Sequence, residues 1–210
     1  MKTLTIAATI IILSFILAGV FYQYLPDKII SHWNFKGEAN EYMTKLWGLF
    51  LIPIISIAIF ILFLLIPKID PLKNNIKKFR NHYNLFILLF VSFMLYIESI
   101  IILANLGYTL NMNRLIMPVI GILIFFIGFI LEKSKRNWFI GIRTPWTLSN
   151  DKVWDETHKL GSKLFKLSGI LAIIGVFFGK LGFLFVLIPI PLSTIYLIVY
   201  SYLTYKKIKK

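Results

Sequence analysis

Long apolar runs constrain this chain more than any other feature. Leu4 to Leu25, Leu46 to Ile66 and Leu115 to Leu131 carry no charge, and Leu85 to Leu106 carries one, Glu98. A bilayer's hydrocarbon layer is about 30 Å thick, so a helix needs about 20 apolar residues to cross it with every backbone group paired. The run from Leu115 to Leu131 is the shortest and sits at the lower limit. Apolar residues make up 58% of the sequence, above the roughly 45–50% of soluble domains. The first run is longer than the roughly 7 to 15 apolar residues of a signal peptide. Despite the cleavage-like Ala18-Gly19-Val20, it reads as a retained helix.

The stretch from Leu164 to Tyr205 contains Lys180 between Gly179 and Gly182. One long segment would have to bury that lysine. Two spans, from about Leu167 to Phe178 and from about Phe183 to Tyr202, place it in a connection. The prediction is therefore an all-α, polytopic integral membrane helix bundle of six transmembrane helices. Charge tests the count independently. With the amino end inside, 18 of the 23 Lys and Arg fall on the inner side, leaving Lys28, Lys36, Lys45, Arg114 and Lys180 outside. That matches the enrichment of cytoplasmic loops in Lys and Arg and predicts both termini in the cytoplasm. Tyr22, Tyr24, Trp47, Tyr83, Tyr108, Trp138, Tyr202 and Tyr205 fall near span ends, as interfacial anchors do. The chain reads as a single membrane domain over residues 1–210. Residues 1–67 form an amino-terminal helix pair with an outer loop at 26–45, and residues 132–210 hold an inner segment with the last two spans.

The net charge of +14 would suggest nucleic acid in a soluble protein. In a membrane protein basic loops account for it, so no direct nucleic-acid partner is expected and anionic membrane lipid is. Cysteine is absent, which removes disulfides, thiolate metal sites and thiol nucleophiles. No cofactor is expected.

Glu98 is the one acidic residue inside an apolar run. A carboxylate there is costly, so it should face the bundle, a cavity or a partner such as Tyr96 or Asn105; it is a functional candidate, with a protonated glutamate in a single buried hydrogen bond as the plainer alternative. Pro53, Pro189 and Pro191 can kink or open their helices. Gly121, Gly128, Gly169 and Gly175 offer small surfaces for close helix packing.

The outer loop, Pro26 to Lys45, is too long for a minimal connection, and Lys36-Gly37-Glu38 signals a turn, so a folded cap is expected. His32, Glu38 and Glu41 are conceivable metal ligands, but one histidine without repeated ligand spacing argues against a site. His32, Trp33 and Asn34 are expected to close this cap.

The inner segment divides at Ser149. Before it, glycine and proline breakers predict ordered loop; after it, Ser149 is a candidate cap and Asp151 suits the positive end of a helix. Val153, Thr157, Leu160, Leu164 and Leu167 form a helical stripe, so Asn150 to Lys163 reads as an interfacial amphipathic helix continuous, or nearly so, with the fifth span. Trp138 and Trp146 would sit at headgroups, and Lys135, Arg136 and Arg143 would meet anionic lipid.

The stretch from Asn137 to Leu148, with Val153-Trp154 and Thr157 to Gly161, resembles the signature of the bacterial SdpI immunity protein family. Leu25 to Asn34, with Gly37, is similar to the outer loop of a membrane domain of unknown function found at the amino end of those proteins. Carried over, the family's inner positions fall on Asn137, Gly141, Arg143, Thr144, Pro145, Thr147, Trp154, His158 and Gly161, and its outer positions on Pro26, His32, Asn34 and Gly37. The resemblance implies protection from a secreted toxic peptide and, in some members, a signal in which a small cytoplasmic repressor is held at the membrane. The rival class is a small transporter or channel using Glu98. An intramembrane enzyme is a third class, against which the sequence offers no His-Glu-x-x-His element and no paired catalytic carboxylates.

Overall fold

The computed structural model describes residues 2–34 and 37–209. Lys36, part of the expected outer turn and charge count, and Lys210, also in that count, lie outside the described residues. Helix α1 covers Lys2–Phe21, strand β1 Lys28–Trp33, strand β2 Ala39–Thr44 and helix α2 Lys45–Ile69. A short α3 (Lys73–Lys77) precedes α4 (Arg80–Asn105) and α5 (Met112–Lys133). Then come α6 (Pro145–Ser149), α7 (Asp151–Ile174), a 3-10 turn at Gly175–Leu181, α8 (Leu184–Leu187) and α9 (Pro189–Lys209). Among the described residues six helical stretches are long and apolar enough to cross a membrane, the last two being Asp151–Leu181 and Leu184–Lys209. The chain is a multi-pass helical membrane protein. Gly179 has φ +55, a left-handed conformation that suits glycine. It turns the chain between the last two spans and leaves Lys180 exposed. Pro189 opens α9 instead of kinking it, as expected of proline at a first helical position.

Two compact units make up the chain, one of Met1–Phe63 with Ile87–Ile116, the other of Leu64–Phe86 with Met117–Lys210. In the first, Ala18, Leu25, Ile29, Leu49 and Ile102 form a buried cluster. The connection expected as the outer loop is folded, as a β-hairpin: Lys28 pairs with Thr44 and Trp33 with Ala39, with irregular register around His32. Ile29 is buried and packs where a side chain on Gly48 would stand. The Asn105 side chain accepts the Ile30 N–H at 2.7 Å and donates to the Ile30 carbonyl at 3.3 Å, tying β1 to α4.

In the second unit α5 and α7 cross at glycines. A Cβ on Gly121 would lie 2.7 Å from the Gly169 carbonyl oxygen, and one on Gly128 would lie 2.8 Å from that of Ser162. Backbones approach this closely only where side chains are absent, the small-residue packing predicted from the sequence. Continuity of the 151–163 helix with the fifth span also holds, since α7 is unbroken. Its buried face differs from the expected stripe. Val153 and Thr157 are buried, but Trp154, His158, Gly161, Ser162, Gly169 and Ala172 complete that face, while Leu167 is 53% exposed. Where lipid is the solvent, small and polar residues mediate helix contact and large aliphatic ones turn outward.

Candidate functional site

The inner signature residues come together in the second unit as a folded platform between α5 and α7. Asn137, fully buried, organises the first turn with its amide alone. Its Nδ2 donates to the carbonyls of Lys135 and Ile140 (2.8 and 2.9 Å), and its Oδ1 accepts from the N–H groups of Phe139 and Ile140. A side chain that supplies two donors and two acceptors can replace missing secondary structure in a loop.

Gly141 follows with φ +118, and a Cβ there would collide with the His158 ring. The site therefore demands glycine for both conformation and space. His158 is buried and stacks on Trp154, with ring centroids 3.9 Å apart. The Ile142 N–H donates to His158 Nε2 at 2.9 Å, and His158 Nδ1 lies 2.8 Å from the Trp154 carbonyl. Because Nε2 accepts, this network assigns the proton to Nδ1, which donates to that carbonyl. Both ring nitrogens are engaged in holding the loop on the helix. Trp154 is fully buried, and its indole N–H donates to the Ser134 carbonyl at 3.3 Å. Gly161 leaves room for Ile142, whose Cδ1 would stand 2.6 Å from an added Cβ.

The Arg-Thr-Pro-Trp turn, expected as loop, contains the helical turn α6. Thr144 caps it, accepting from the Thr147 N–H at 3.2 Å, while Thr147 Oγ1 accepts from the Thr144 N–H at 2.9 Å. This reciprocal pair is a capping box, and Pro145 occupies the position where a backbone donor is dispensable. Thr144 Oγ1 also lies 3.0 Å from Ser201 Oγ, fixing the turn to α9. Because Ser149 ends α6, the cap of α7 is Asn150, whose Oδ1 accepts from Lys152 and Val153 at 2.9 and 3.2 Å. The cations expected at lipid have partners within the protein. Arg136 pairs with Asp151 at 2.7 Å, Lys135 with Asp155 at 3.2 Å, and exposed Arg143 donates to the Trp138 carbonyl at 2.7 Å. A groove of about 480 Å³ opens beside Arg143, with Ile142, Trp146, Phe165 and Leu197 among its walls.

Asp70 and Asn75 were not singled out from the sequence, yet they clamp the platform from the α2–α4 connection. Asp70 is buried; its Oδ2 accepts the Trp138 N–H at 2.9 Å and its Oδ1 the Leu72 N–H at 2.6 Å. Asn75 donates to the Arg136 carbonyl at 2.8 Å. One signal was available: Asp70 is the only acidic residue in a segment from Lys68 to Arg80 that holds five cations.

The other candidates lie in the first unit. Glu98 is 1% exposed and accepts from Ser14 of α1 through Oε2, with no partner to Oε1 among the described residues. Its expected partners are engaged elsewhere: Tyr96 donates to the Leu115 carbonyl, and Asn105 holds Ile30. In the hairpin, His32 Nδ1 lies 2.7 Å from Asn40 Oδ1. Asn34 closes the end of the hairpin with Glu38, donating to its carboxylate and accepting its N–H at 3.0 and 3.1 Å. Gly37 has φ +80 and Pro26 is exposed.

Comparison with known proteins agrees with these two signature regions. Residues 133–201 match the model of the SdpI/YfhL protein family, and residues 9–57 match a domain of unknown function, DUF1648. Over 209 residues, 99% of this chain and 98% of the relative, the sequence is 29% identical to the immunity protein SdpI of Bacillus subtilis strain 168. No solved structure matches the chain. These matches identify the chain as SdpI-like, with an SdpI/YfhL family region at 133–201 behind a DUF1648 region at 9–57.

Proposed function

We propose that this protein is a membrane immunity protein that protects its host from a secreted toxic peptide. In this reading it relays engagement of the peptide to a cytoplasmic partner such as a small repressor, and both termini are cytoplasmic. Likeness along the whole chain to a protein named for immunity supports the first part. The observation that carries the second is the state of the platform. Asn137, Thr144, Thr147, Trp154 and His158 are buried and hydrogen-bonded to neighbouring groups, whereas Arg143, the only charged member of the signature, stands exposed beside a groove. Such an arrangement presents a rigid docking surface, and its positive charge suits an acidic partner. Relay further requires two states with different affinity for that partner.

Expression in a sensitive cell tests the reading, with survival and partner recruitment scored separately. Arg143→Ala should leave the protein in the membrane and abolish recruitment. Unaltered recruitment removes Arg143 from the role, and failure of the unmodified protein to protect against any peptide encoded nearby sinks the immunity reading.

One observation favours a second reading, movement of a proton or small cation. Glu98 presents a buried carboxyl with an unpaired oxygen among the spans, a feature typical of ion pathways. Glu98→Gln should then change flux in proteoliposomes, and an indifferent flux eliminates this reading.

A further inference from the structure

Between the end of α5 and the first half of α7 lies a second groove, of about 500 Å³. Glu132, Lys135, Asp155, Lys159, Lys163 and Lys166 supply its charged walls. Four cations face two carboxylates, and the pairing within the groove is unequal. Lys166 binds Glu132 at 2.5 Å and Lys135 binds Asp155 at 3.2 Å. Among the described residues Lys159 and Lys163 have no carboxylate within ion-pair distance, and both are exposed. The groove therefore holds two uncompensated positive charges one helical turn apart.

Its depth follows from the two helices that form it. The apolar run of α5 ends at Leu131, directly before Glu132 and Lys133, and α7 carries no charge from Leu167 to Ile174. Lys166 and Glu132 join the helices at this change of character, so the groove stands at the boundary between headgroups and hydrocarbon. Lys159, Lys163 and Lys166 follow one another at spacings of four and three, and Ile170 and Ile174 continue the same face. Those two isoleucines are 44% and 39% exposed. A basic notch thus leads onto an outward-facing aliphatic track.

We infer that this groove binds an anionic phospholipid, with its phosphate between Lys159 and Lys163 and an acyl chain along Ile170 and Ile174. Lysines at the headgroup level attract phosphate electrostatically while their stems lie on apolar surface. The inference rests on the groove alone and is independent of the immunity reading. A free phosphate offers the same headgroup chemistry but makes no use of the aliphatic track.

The test uses the full chain purified in neutral detergent, with thermal unfolding followed after addition of dioleoyl phosphatidylglycerol, dioleoyl phosphatidylcholine or inorganic phosphate. Phosphatidylglycerol should raise the midpoint more than phosphatidylcholine, and phosphate alone should leave it unchanged. In the Lys159→Gln/Lys163→Gln double variant the apparent affinity for phosphatidylglycerol should fall about thirtyfold, the scale set by two lysines at a membrane surface. Lys206→Gln/Lys207→Gln removes equal charge at the end of α9 and should retain the preference. Equal response to both lipids, or equal loss in both double variants, overturns the site. A full shift with phosphate alone overturns the lipid assignment. Because Lys159 and Lys163 are exposed, the unliganded midpoint should match that of the unmodified protein.

Discussion

Pro26 to Lys45 and Asn137 to Gly161 are both long connections between spans, and both carry signature residues, but different forces shape them. The first is a hairpin held by strand pairing, and its polar signature contacts, His32 with Asn40 and Asn34 with Glu38, are exposed. The second has little regular structure before α6 and is held by side chains bonded to backbone groups, with Asn137, Thr147, Trp154 and His158 buried. A hydrogen bond in water is exchanged for bonds to solvent and contributes little, whereas a buried group stripped of its partner costs its full desolvation. Substitutions should therefore weigh very differently in the two segments.

Trp154→Ala should have the largest effect. It leaves a cavity, removes the ring under His158 and frees the Ser134 carbonyl, a loss of about 3–5 kcal/mol. Thermal unfolding of the detergent-purified protein reads this, and a variant as stable as the original would break the contrast. Asp70→Ala strips two backbone donors of their acceptor and should cost about 1–3 kcal/mol. Hydrogen exchange at the Trp138 and Leu72 amides should quicken, and unchanged protection there would show that the clamp contributes nothing. His32→Ala removes an exposed contact and should fall within about 0.5 kcal/mol. A larger cost would mean that the hairpin depends on its side chains as heavily as the platform does.

The helical frame was legible in the sequence because the bilayer imposes a length on every span, and Lys180 could be placed because a charge there had to escape lipid. Gly121, Gly128 and Gly169 were legible as packing residues for the same reason. The stripe on α7 was legible as periodicity, but not which of its residues pack: Val153 and Thr157 are buried whereas Leu167 is 53% exposed, because in lipid aliphatic periodicity does not separate a packed face from an outward one. Glu98 stood out, yet its partner did not, because Ser14 is eighty-four residues away in sequence and periodicity carries no information about which helices meet. The signature residues were legible as a group, while their roles depended on local hydrogen-bond geometry. Thr144 and Thr147 form a reciprocal cap only once α6 exists, and Asp70 reaches Trp138 from a different connection.

The bond between Asn105 and Ile30 has a consequence for how the hairpin can vary. Asn105 offers its amide to the strand's own N–H and C=O, acting as a one-residue imitation of a neighbouring strand. An exposed strand edge invites pairing with another chain, and here that edge is already occupied at its centre. The strand's share of the bond is all main chain, so exchanging Ile30 for another strand-forming residue preserves it, while exchanging Asn105 for an apolar residue abolishes it. Mutational tolerance should thus be lopsided across a single contact, permissive on the hairpin and strict on the helix.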